Sequence, residues 1–133
     1  MSNGLNWYAN TTALTVDFIS AVYPDAASES LTAAAPAASV LKYLTVLDAT
    51  SNGVACTLAD GIVHGQMKRF IAKVVSGGAT TVTLASPVSS SLDVITFTVI
   101  GDTADLQWNA EDGYWRILAL TDVDRNISTP TAA

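Results

Sequence analysis

The sequence contains few of the residues on which most enzyme chemistry depends. Among its 133 residues there is one histidine, His64, and one cysteine, Cys56. Neither a histidine-based metal site nor a Ser-His-Asp triad can be assembled without His64, and a single cysteine excludes an internal disulfide framework. We therefore expect no catalytic site, no cofactor and no metal. We predict that His64 lies in a surface loop and that Cys56 lies in the core.

Basic residues and long apolar runs are also scarce. Six Lys and Arg residues oppose twelve Asp and Glu residues, which gives a net charge of −6 and a pI near 4.3. Six scattered cations cannot neutralise a run of phosphates, so neither nucleic acid nor an anionic membrane surface is an expected partner. The sequence has no apolar segment of about 18 residues, and its N-terminus lacks the basic region and apolar core of a signal peptide. These features predict a protein that is made and used without secretion.

Threonine and small apolar residues are abundant. Hydrophobic residues make up 50% of the chain, charged residues only 14%, and 16 residues are threonine. The β-branched threonine side chain suits half-buried strands, whereas a helical bundle would contain far more Glu, Lys and Leu. Composition and length together predict a single threonine-rich β domain.

The stretch Val94–Leu120 shows the clearest strand patterns. Apolar and polar side chains alternate in VITFTV, and the same period of two continues on both sides of the polar loop Asn109–Gly113. Because successive strand side chains point to opposite faces, each run is predicted to be a half-buried strand. Antiparallel pairing across the loop predicts a contact between Trp108 and Trp115.

Four further strands are predicted before this stretch, with Gly, Asn, Asp, Ser or Pro residues in the turns between them. They are Val40–Asp48, Val54–Ala59, Met67–Val75 and Thr80–Leu84. Short strands at this spacing are typical of an antiparallel sandwich or barrel. We predict an all-β fold of about eight short strands, an antiparallel β-sandwich or a jelly-roll-like β-barrel, with an irregular N-terminal arm.

The two ends of the chain differ from this middle region. Leu14, Val16 and Phe18 alternate with polar residues and predict a short strand, whereas residues 20–39 are rich in Ala, contain two prolines and predict a single helical turn within a loop or extended connector. Either this segment becomes ordered only on a partner, or it is a connector packed on its own domain. The predicted divisions are an N-terminal arm and connector (1–39), a β domain (40–121) and a polar tail (122–133).

Acidic side chains are the first candidates for ligand binding. Ten of the twelve acids are Asp, and four of these lie directly beside Gly or Thr, as turn residues do. The pairs Asp102/Asp105 and Asp122/Asp124 match no known calcium-binding loop. Turn formation and solubility therefore explain these residues better than a calcium site does.

Aromatic and basic side chains are the other candidates. An aromatic platform for stacking sugars could include Trp7, Tyr8, Trp108, Tyr114 and Trp115. Packing in the core or at an interface is the favoured role of most of them. The basic residues Lys68, Arg69 and Lys73 lie on one predicted strand. The side chain of Lys68 is predicted to point to one face of this strand, and those of Arg69 and Lys73 to the other. A basic residue on such a strand can guard a sheet edge against unwanted pairing.

Five short motifs follow one another along the chain. They are TLADG at Thr57–Gly61, GQMK at Gly65–Lys68, VTL at Val82–Leu84, ITF at Ile95–Phe97 and GDTADLQW at Gly101–Trp108, with a second aromatic at Trp115. In this order they resemble a module of tailed-phage virion proteins, especially those of marine and cyanobacterial phages. The resemblance covers roughly residues 40–120. It implies a small β domain, found in capsid decoration (cement) proteins and in tail fibres, that is displayed on the particle and does no chemistry.

The resemblance leads to two functional hypotheses. The first is a decoration protein, made in the host cytoplasm, that binds the major capsid protein on the virion surface as a homotrimer. The residues expected to contact its partner are Trp7, Tyr8, Phe18 and Tyr23. The alternative is a tail-fibre or spike tip that binds host surface glycans through exposed aromatic side chains.

Overall fold

The computed structural model describes residues 28–121 and 131–132, which form ten β-strands in two five-stranded sheets. Sheet 1 contains, in spatial order, β1 (Glu29–Leu31), β3 (Leu44–Asp48), β5 (Met67–Val74), β8 (Thr103–Asn109) and β9 (Tyr114–Thr121). Sheet 2 contains β10 (Thr131–Ala132), β7 (Val94–Phe97), β6 (Thr80–Leu84), β4 (Val54–Leu58) and β2 (Ala37–Ala38). No helix occurs among these residues, and the prediction of an all-β fold is confirmed.

The two sheets are mixed. From β1 to β6, consecutive strands alternate between the sheets, so the next strand in the same sheet comes two strands later and runs in the same direction. Parallel pairs therefore join β1, β3 and β5 in sheet 1 and β2, β4 and β6 in sheet 2. The pairs β5–β8, β8–β9, β6–β7 and β7–β10 are antiparallel. The structure thus corrects the antiparallel, jelly-roll-like part of the prediction for the first six strands, because side-chain periodicity shows which face is buried but not which strand pairs with which.

Both sheets direct their buried faces into one hydrophobic core. Burial alternates along the strands, as in β4, where Val54, Cys56 and Leu58 are buried and the two residues between them are exposed. Sheet 1 contributes Phe70 and Leu106 to the same core cluster. The period of two in the sequence predicts such positions because inward and outward side chains alternate along a strand.

The seven strands predicted between residues 40 and 120 are all present, with small changes in their bounds. Residues 40–43 precede β3 as a turn, and β7 ends at Phe97. The predicted contact between Trp108 and Trp115 is confirmed, with ring centroids 5.4 Å apart and an interplanar angle of 60°. This edge-to-face geometry is the one that the quadrupoles of aromatic rings favour.

The described part of the predicted N-terminal connector belongs to the β domain. Glu29–Leu31 pairs with β3 and Ala37–Ala38 pairs with β4, so the domain begins before the predicted boundary at residue 40. Two or three residues are too few to show a strand period in the sequence, although they are enough to pair by backbone hydrogen bonds. From the predicted tail, Thr131–Ala132 pairs with β7.

The described connections between strands lie at two opposite ends of the sheets. What we call the loop end contains residues 39–43, 59–66, 85–93 and 110–113. What we call the turn end contains residues 32–36, 49–53, 75–79 and 98–102. The loop end holds the end of the TLADG motif and the start of the GQMK motif, whereas the GDTADLQW motif begins at the turn end.

Candidate functional site

Gln66, the glutamine of the GQMK motif, connects two loops of the loop end. Its side chain is fully buried. Its Oε1 accepts hydrogen bonds from the backbone N–H groups of Ile62 and Val63, at 2.7 and 3.3 Å, and its Nε2 donates to the carbonyl oxygen of Val40 at 2.5 Å. A buried amide that is paired at both ends holds these loops in one geometry.

Trp108 and Trp115 fill the core beneath these loops. The Nε1–H group of Trp115 donates to the carbonyl oxygen of Ala59 at 2.8 Å. A Cβ atom on Gly61 would lie 2.3 Å from Cγ of Trp108, so the loop can cross the indole only with glycine at this position. Gly61 of the TLADG motif and Trp108 of the GDTADLQW motif therefore pack against each other.

Lys68, the lysine of the GQMK motif, is a fully buried cation that reaches the N-terminal strand. Its Nζ donates to the carbonyl oxygens of Ser39 and Lys42, at 2.8 and 2.7 Å, and to Oγ1 of Thr45 at 2.5 Å. Glu29 on β1 adds an ion pair, with its Oε1 at 3.4 Å from Nζ. The same carboxylate oxygen accepts hydrogen bonds from Oγ1 of Thr45 and from the N–H group of Ser39. This cluster joins β1 and the β2–β3 connection to the centre of sheet 1.

Burial shifts the pKa values of two side chains in opposite directions. Loss of solvation lowers the pKa of Lys68 from 10.5 to about 8, although the nearby Glu29 carboxylate opposes the shift. Loss of solvation also raises the pKa of Cys56 from 9.0 to about 12. A thiol with a raised pKa is a poor nucleophile at neutral pH. The roles that the structure gives these two residues are hydrogen bonding for Lys68 and packing for Cys56.

Two ion pairs lie on the outer face of sheet 1. Arg69 makes a bidentate contact with Asp105, at 2.6 and 3.0 Å, and Nζ of Lys73 lies 3.0 Å from Oδ2 of Asp48. Hydrogen bonds from Thr50 and Lys73 lower the pKa of Asp48. All three basic residues lie on β5, which is a central strand of the sheet. The edge-guard interpretation of these residues is therefore wrong.

Asp102 is buried at the turn end, where it caps the turn between β7 and β8. Its Oδ2 accepts hydrogen bonds from the N–H groups of Thr98 and Val99, both at 2.9 Å. Its Oδ1 has no hydrogen-bond partner among the described residues. Asp105 lies on the outer face of sheet 1 and pairs with Arg69. The two members of the predicted pair Asp102/Asp105 are therefore apart, one buried in a turn and one on the surface. The second pair, at positions 122 and 124, lies outside the described residues.

His64 and Cys56 occupy the kinds of position that the sequence predicts. His64 is exposed in a loop, and its Nδ1 accepts a hydrogen bond from the N–H group of Ala110 at 3.1 Å, which connects this loop to the β8–β9 hairpin. Cys56 is buried as a free thiol. Within residues 28–121 and 131–132, no group of three His, Cys, Asp or Glu side chains is arranged to hold a metal ion.

The aromatic candidates divide into three groups. Trp108 and Trp115 are buried, as their predicted packing role requires. Tyr114 is half-buried, and its hydroxyl donates to Asp112 at 3.2 Å. Four residues predicted to contact a partner lie outside the described residues, namely Trp7, Tyr8, Phe18 and Tyr23.

Four large apolar side chains at the loop end are exposed to solvent, at positions that the sequence patterns do not mark as a surface. They are Leu41 (49% exposed), Ile62 (57%), Val63 (37%) and Val88 (46%), and we call them the loop-end surface. The backbone N–H groups of Ile62 and Val63 are both hydrogen-bonded to the Gln66 side chain, which fixes the position of this segment. In the sequence, Ile62 and Val63 form an apolar pair between Gly61 and Gly65, and this loop is too short for both side chains to reach the core.

Comparison of the sequence with protein-family models and with curated proteins found no match. In the part of the chain that the structure describes, no helix is long and apolar enough to cross a membrane. The described residues themselves form a β scaffold whose loop end is held together by buried side chains and carries exposed apolar residues.

Proposed function

We propose that this chain is a structural virion protein, a decoration protein that binds the outer surface of a phage capsid and stabilises it. Its resemblance to virion modules motivates the proposal, and the hydrogen bonds made by the motif residues support it. Gln66 and Lys68 donate to backbone carbonyl oxygens, and the indole of Trp115 donates to Ala59. These polar groups build a rigid end rather than line a substrate cleft, which suits a module displayed on a particle.

The loop-end surface is the part of the described chain best suited to contact the major capsid protein. Because hydrogen bonds to Gln66 restrain the backbone of Ile62 and Val63, these residues lose little conformational freedom when they bind a partner. Glu111 and Asp112 are exposed in the neighbouring hairpin and would form a polar rim around the apolar residues. In this proposal the protein is made in the host cytoplasm and assembles on the capsid as a homotrimer.

Electron cryo-microscopy of the virion tests the location. We expect density for this chain at regular positions on the outer capsid lattice. Density confined to the tail would refute the proposal and favour the alternative role as a tail-fibre or spike tip.

Capsids that lack this chain provide a binding test for the loop-end surface. We expect wild-type protein to sediment with them and Ile62→Asp to lose at least tenfold in affinity, because a carboxylate would have to be desolvated at the contact. Ile100→Asp is the matched control, since Ile100 is equally exposed (59%) but lies at the turn end. Equal binding by both variants would show that the capsid contact lies elsewhere on the chain.

The alternative role, binding host glycans, requires exposed aromatic rings. Of the aromatic candidates in the described residues, Trp108 and Trp115 are buried and Tyr114 is half-buried. A glycan array tests this role, and specific binding that is lost in Tyr114→Ala or Trp7→Ala would favour it over capsid decoration.

A further inference from the structure

The negative charge of the described chain is concentrated at the loop end. Acidic side chains elsewhere among the described residues are in ion pairs of sheet 1 or, in the case of Asp102, buried in a turn. The remaining described acids all lie in connections of the loop end: Asp60, Asp93, Glu111 and Asp112. These connections contain one basic residue, Lys42. The loop end therefore carries an excess of negative charge at neutral pH.

Hydrogen bonds connect the four loops of the loop end. The Gln66 side chain binds its own loop and the carbonyl oxygen of Val40. The His64 imidazole accepts the N–H group of Ala110 in the β8–β9 hairpin, and the start of β9 donates a backbone hydrogen bond to Ser86. The exposed apolar residues of the loop-end surface and the acidic residues therefore occupy one continuous end of the molecule.

Two of these carboxylates are available to a partner. Asp60 and Glu111 are exposed, and within the described part of the chain their side chains make no hydrogen bond or ion pair. Asp112 differs, because its Oδ2 accepts hydrogen bonds from Nδ2 of Asn109 and from the hydroxyl of Tyr114. Asp112 therefore shapes the hairpin, whereas Asp60 and Glu111 contribute free charge beside the loop-end surface.

The turn end lacks this combination. Ile100 is 59% exposed there, but the only charged residue in the described connections of the turn end is the buried Asp102. The described strands of sheet 2 also contain no charged residue. Exposed apolar side chains and free carboxylates thus occur together at one end of the described molecule and not at the other.

The chemistry of the loop end restricts the surface that can cover it. Its apolar side chains are buried best against other apolar groups, whereas a carboxylate brought against a like charge, or desolvated without a partner, opposes binding. A second copy of the loop end does not fit, because it would bring the same carboxylates together. Protein interfaces commonly have an apolar centre and a polar rim, and a rim of cations would complement Asp60 and Glu111.

We propose that the loop-end surface binds a protein surface in which an apolar centre is surrounded by lysine and arginine side chains. This inference rests on the proposed function and specifies the chemistry of the capsid contact. Contacts between rim charges act mainly on the rate of association and on its salt dependence. The apolar residues supply the affinity, and the carboxylates select a basic partner.

Two synthetic peptides test this chemistry without a capsid. Both are amphipathic and equal in length, one built from leucine and lysine and the other from leucine and glutamate. We expect the lysine peptide to shift the NMR amide signals of Ile62, Val63 and Glu111, and the glutamate peptide not to bind. Binding should weaken as the ionic strength rises from about 0.01 M to about 0.15 M, since the screening distance falls from about 30 Å to about 8 Å. Equal binding of the two peptides, no binding of the lysine peptide, or signal shifts centred on Ile100 would overturn the inference.

Charge-matched variants separate the local charge from the net charge. Asp60→Asn/Glu111→Gln removes two charges with little change of shape, and we expect its affinity for the lysine peptide at about 0.15 M ionic strength to be about fivefold lower. Ser51→Lys/Ser76→Lys changes the net charge by the same amount at exposed positions of the turn end and should bind nearly as tightly as the wild type. Equal losses in both double variants would mean that only the net charge matters, and the inference would fail.

Capsid binding separates this inference from the proposed function. If capsids bind Asp60→Asn/Glu111→Gln as tightly as the wild type but lose Ile62→Asp, the loop end contacts the capsid and the basic partner is wrong. If the lysine peptide binds at the loop end but capsids bind no wild-type protein, the decoration role is wrong and the preference for a basic partner stands.

Discussion

Lys68 is a fully buried cation in the centre of sheet 1. Its buried ammonium is paired with the Glu29 carboxylate and donates to two backbone carbonyl oxygens. Lys68→Met would leave these acceptors without their donor, and breaking a buried ion pair in this way costs about 3–5 kcal/mol. We expect urea denaturation to show a loss of this size in the free energy of unfolding. Lys73→Met makes the same change on the same strand but breaks an exposed pair, so its effect should be small. Equal losses would contradict the role given to Lys68.

The lowered pKa of Lys68 also predicts a pH dependence. This pKa is about 8 in the folded protein, against 10.5 for an ordinary lysine, so between these values the unfolded chain holds more protons at this position. The contribution of Lys68 to the free energy of unfolding therefore rises with pH across this window and is lost as the pH falls through about 8. We expect the difference in unfolding free energy between wild type and Lys68→Met to grow from about pH 7 to about pH 10. A constant difference would mean that Lys68 titrates near its ordinary pKa, and NMR titration of its Cε resonance would measure this directly.

Substitution of Gly61 tests the contact between the TLADG loop and Trp108 in the core. In Gly61→Ala the new methyl group would meet the indole of Trp108, and forcing extra volume into a packed site costs about 1–3 kcal/mol. We expect a lower melting temperature and a changed near-ultraviolet circular dichroism signal from tryptophan. Gly113→Ala is the control: no atom lies within 4 Å of its added Cβ, so only its positive φ of 75° opposes the change. That strain costs about 1 kcal/mol and should leave the tryptophan signal unchanged.

Two segments of the loop end, residues 39–43 and 59–66, are expected to behave as one element because Gln66 connects them. Gln66→Ala would remove the acceptor of the Ile62 and Val63 N–H groups and the donor to Val40. We expect hydrogen exchange at Ile62 and Val63 to become faster by at least tenfold, since their protection would then depend on local opening of the loop. Amides in β6, in the other sheet, serve as the internal reference. Unchanged exchange at the two loop amides would show that other contacts hold the loop.

The topology of the whole molecule predicts slow folding. Met67 on β5 pairs with Gln107 on β8, and the parallel strands of each sheet are separated by a strand of the other sheet. Such non-local pairing requires long loops to close before the contacts form, and β proteins of this kind fold in milliseconds to seconds. Stopped-flow refolding from urea should show this timescale. Refolding in microseconds would mean that local contacts dominate the transition state.

Patterns along single strands were the most predictable feature of this protein. The alternation in Val94–Phe97 and Thr103–Asn109 identified both strands, and the pairing of Trp108 with Trp115 followed from a short hairpin. Local patterns predict such features because strand periodicity and tight turns involve only neighbouring residues. The short strand Glu29–Leu31 was not predicted, because its place in the sheet depends on pairing with β3 and on the Lys68 ion pair rather than on its own pattern.

The amino-acid sequence by itself determined the all-β class, the alternating core positions and the places of His64 in a loop and Cys56 in the core. Only the tertiary structure decided that the first six strands alternate between two sheets, that Lys68 is a buried cation and that sheet 2 has no charged strand residue. The physical reason is that side-chain polarity records burial along the chain, whereas pairing between strands depends on backbone hydrogen bonds that every residue can make. The same reason explains why the loop-end surface becomes visible only once the sheets are assembled.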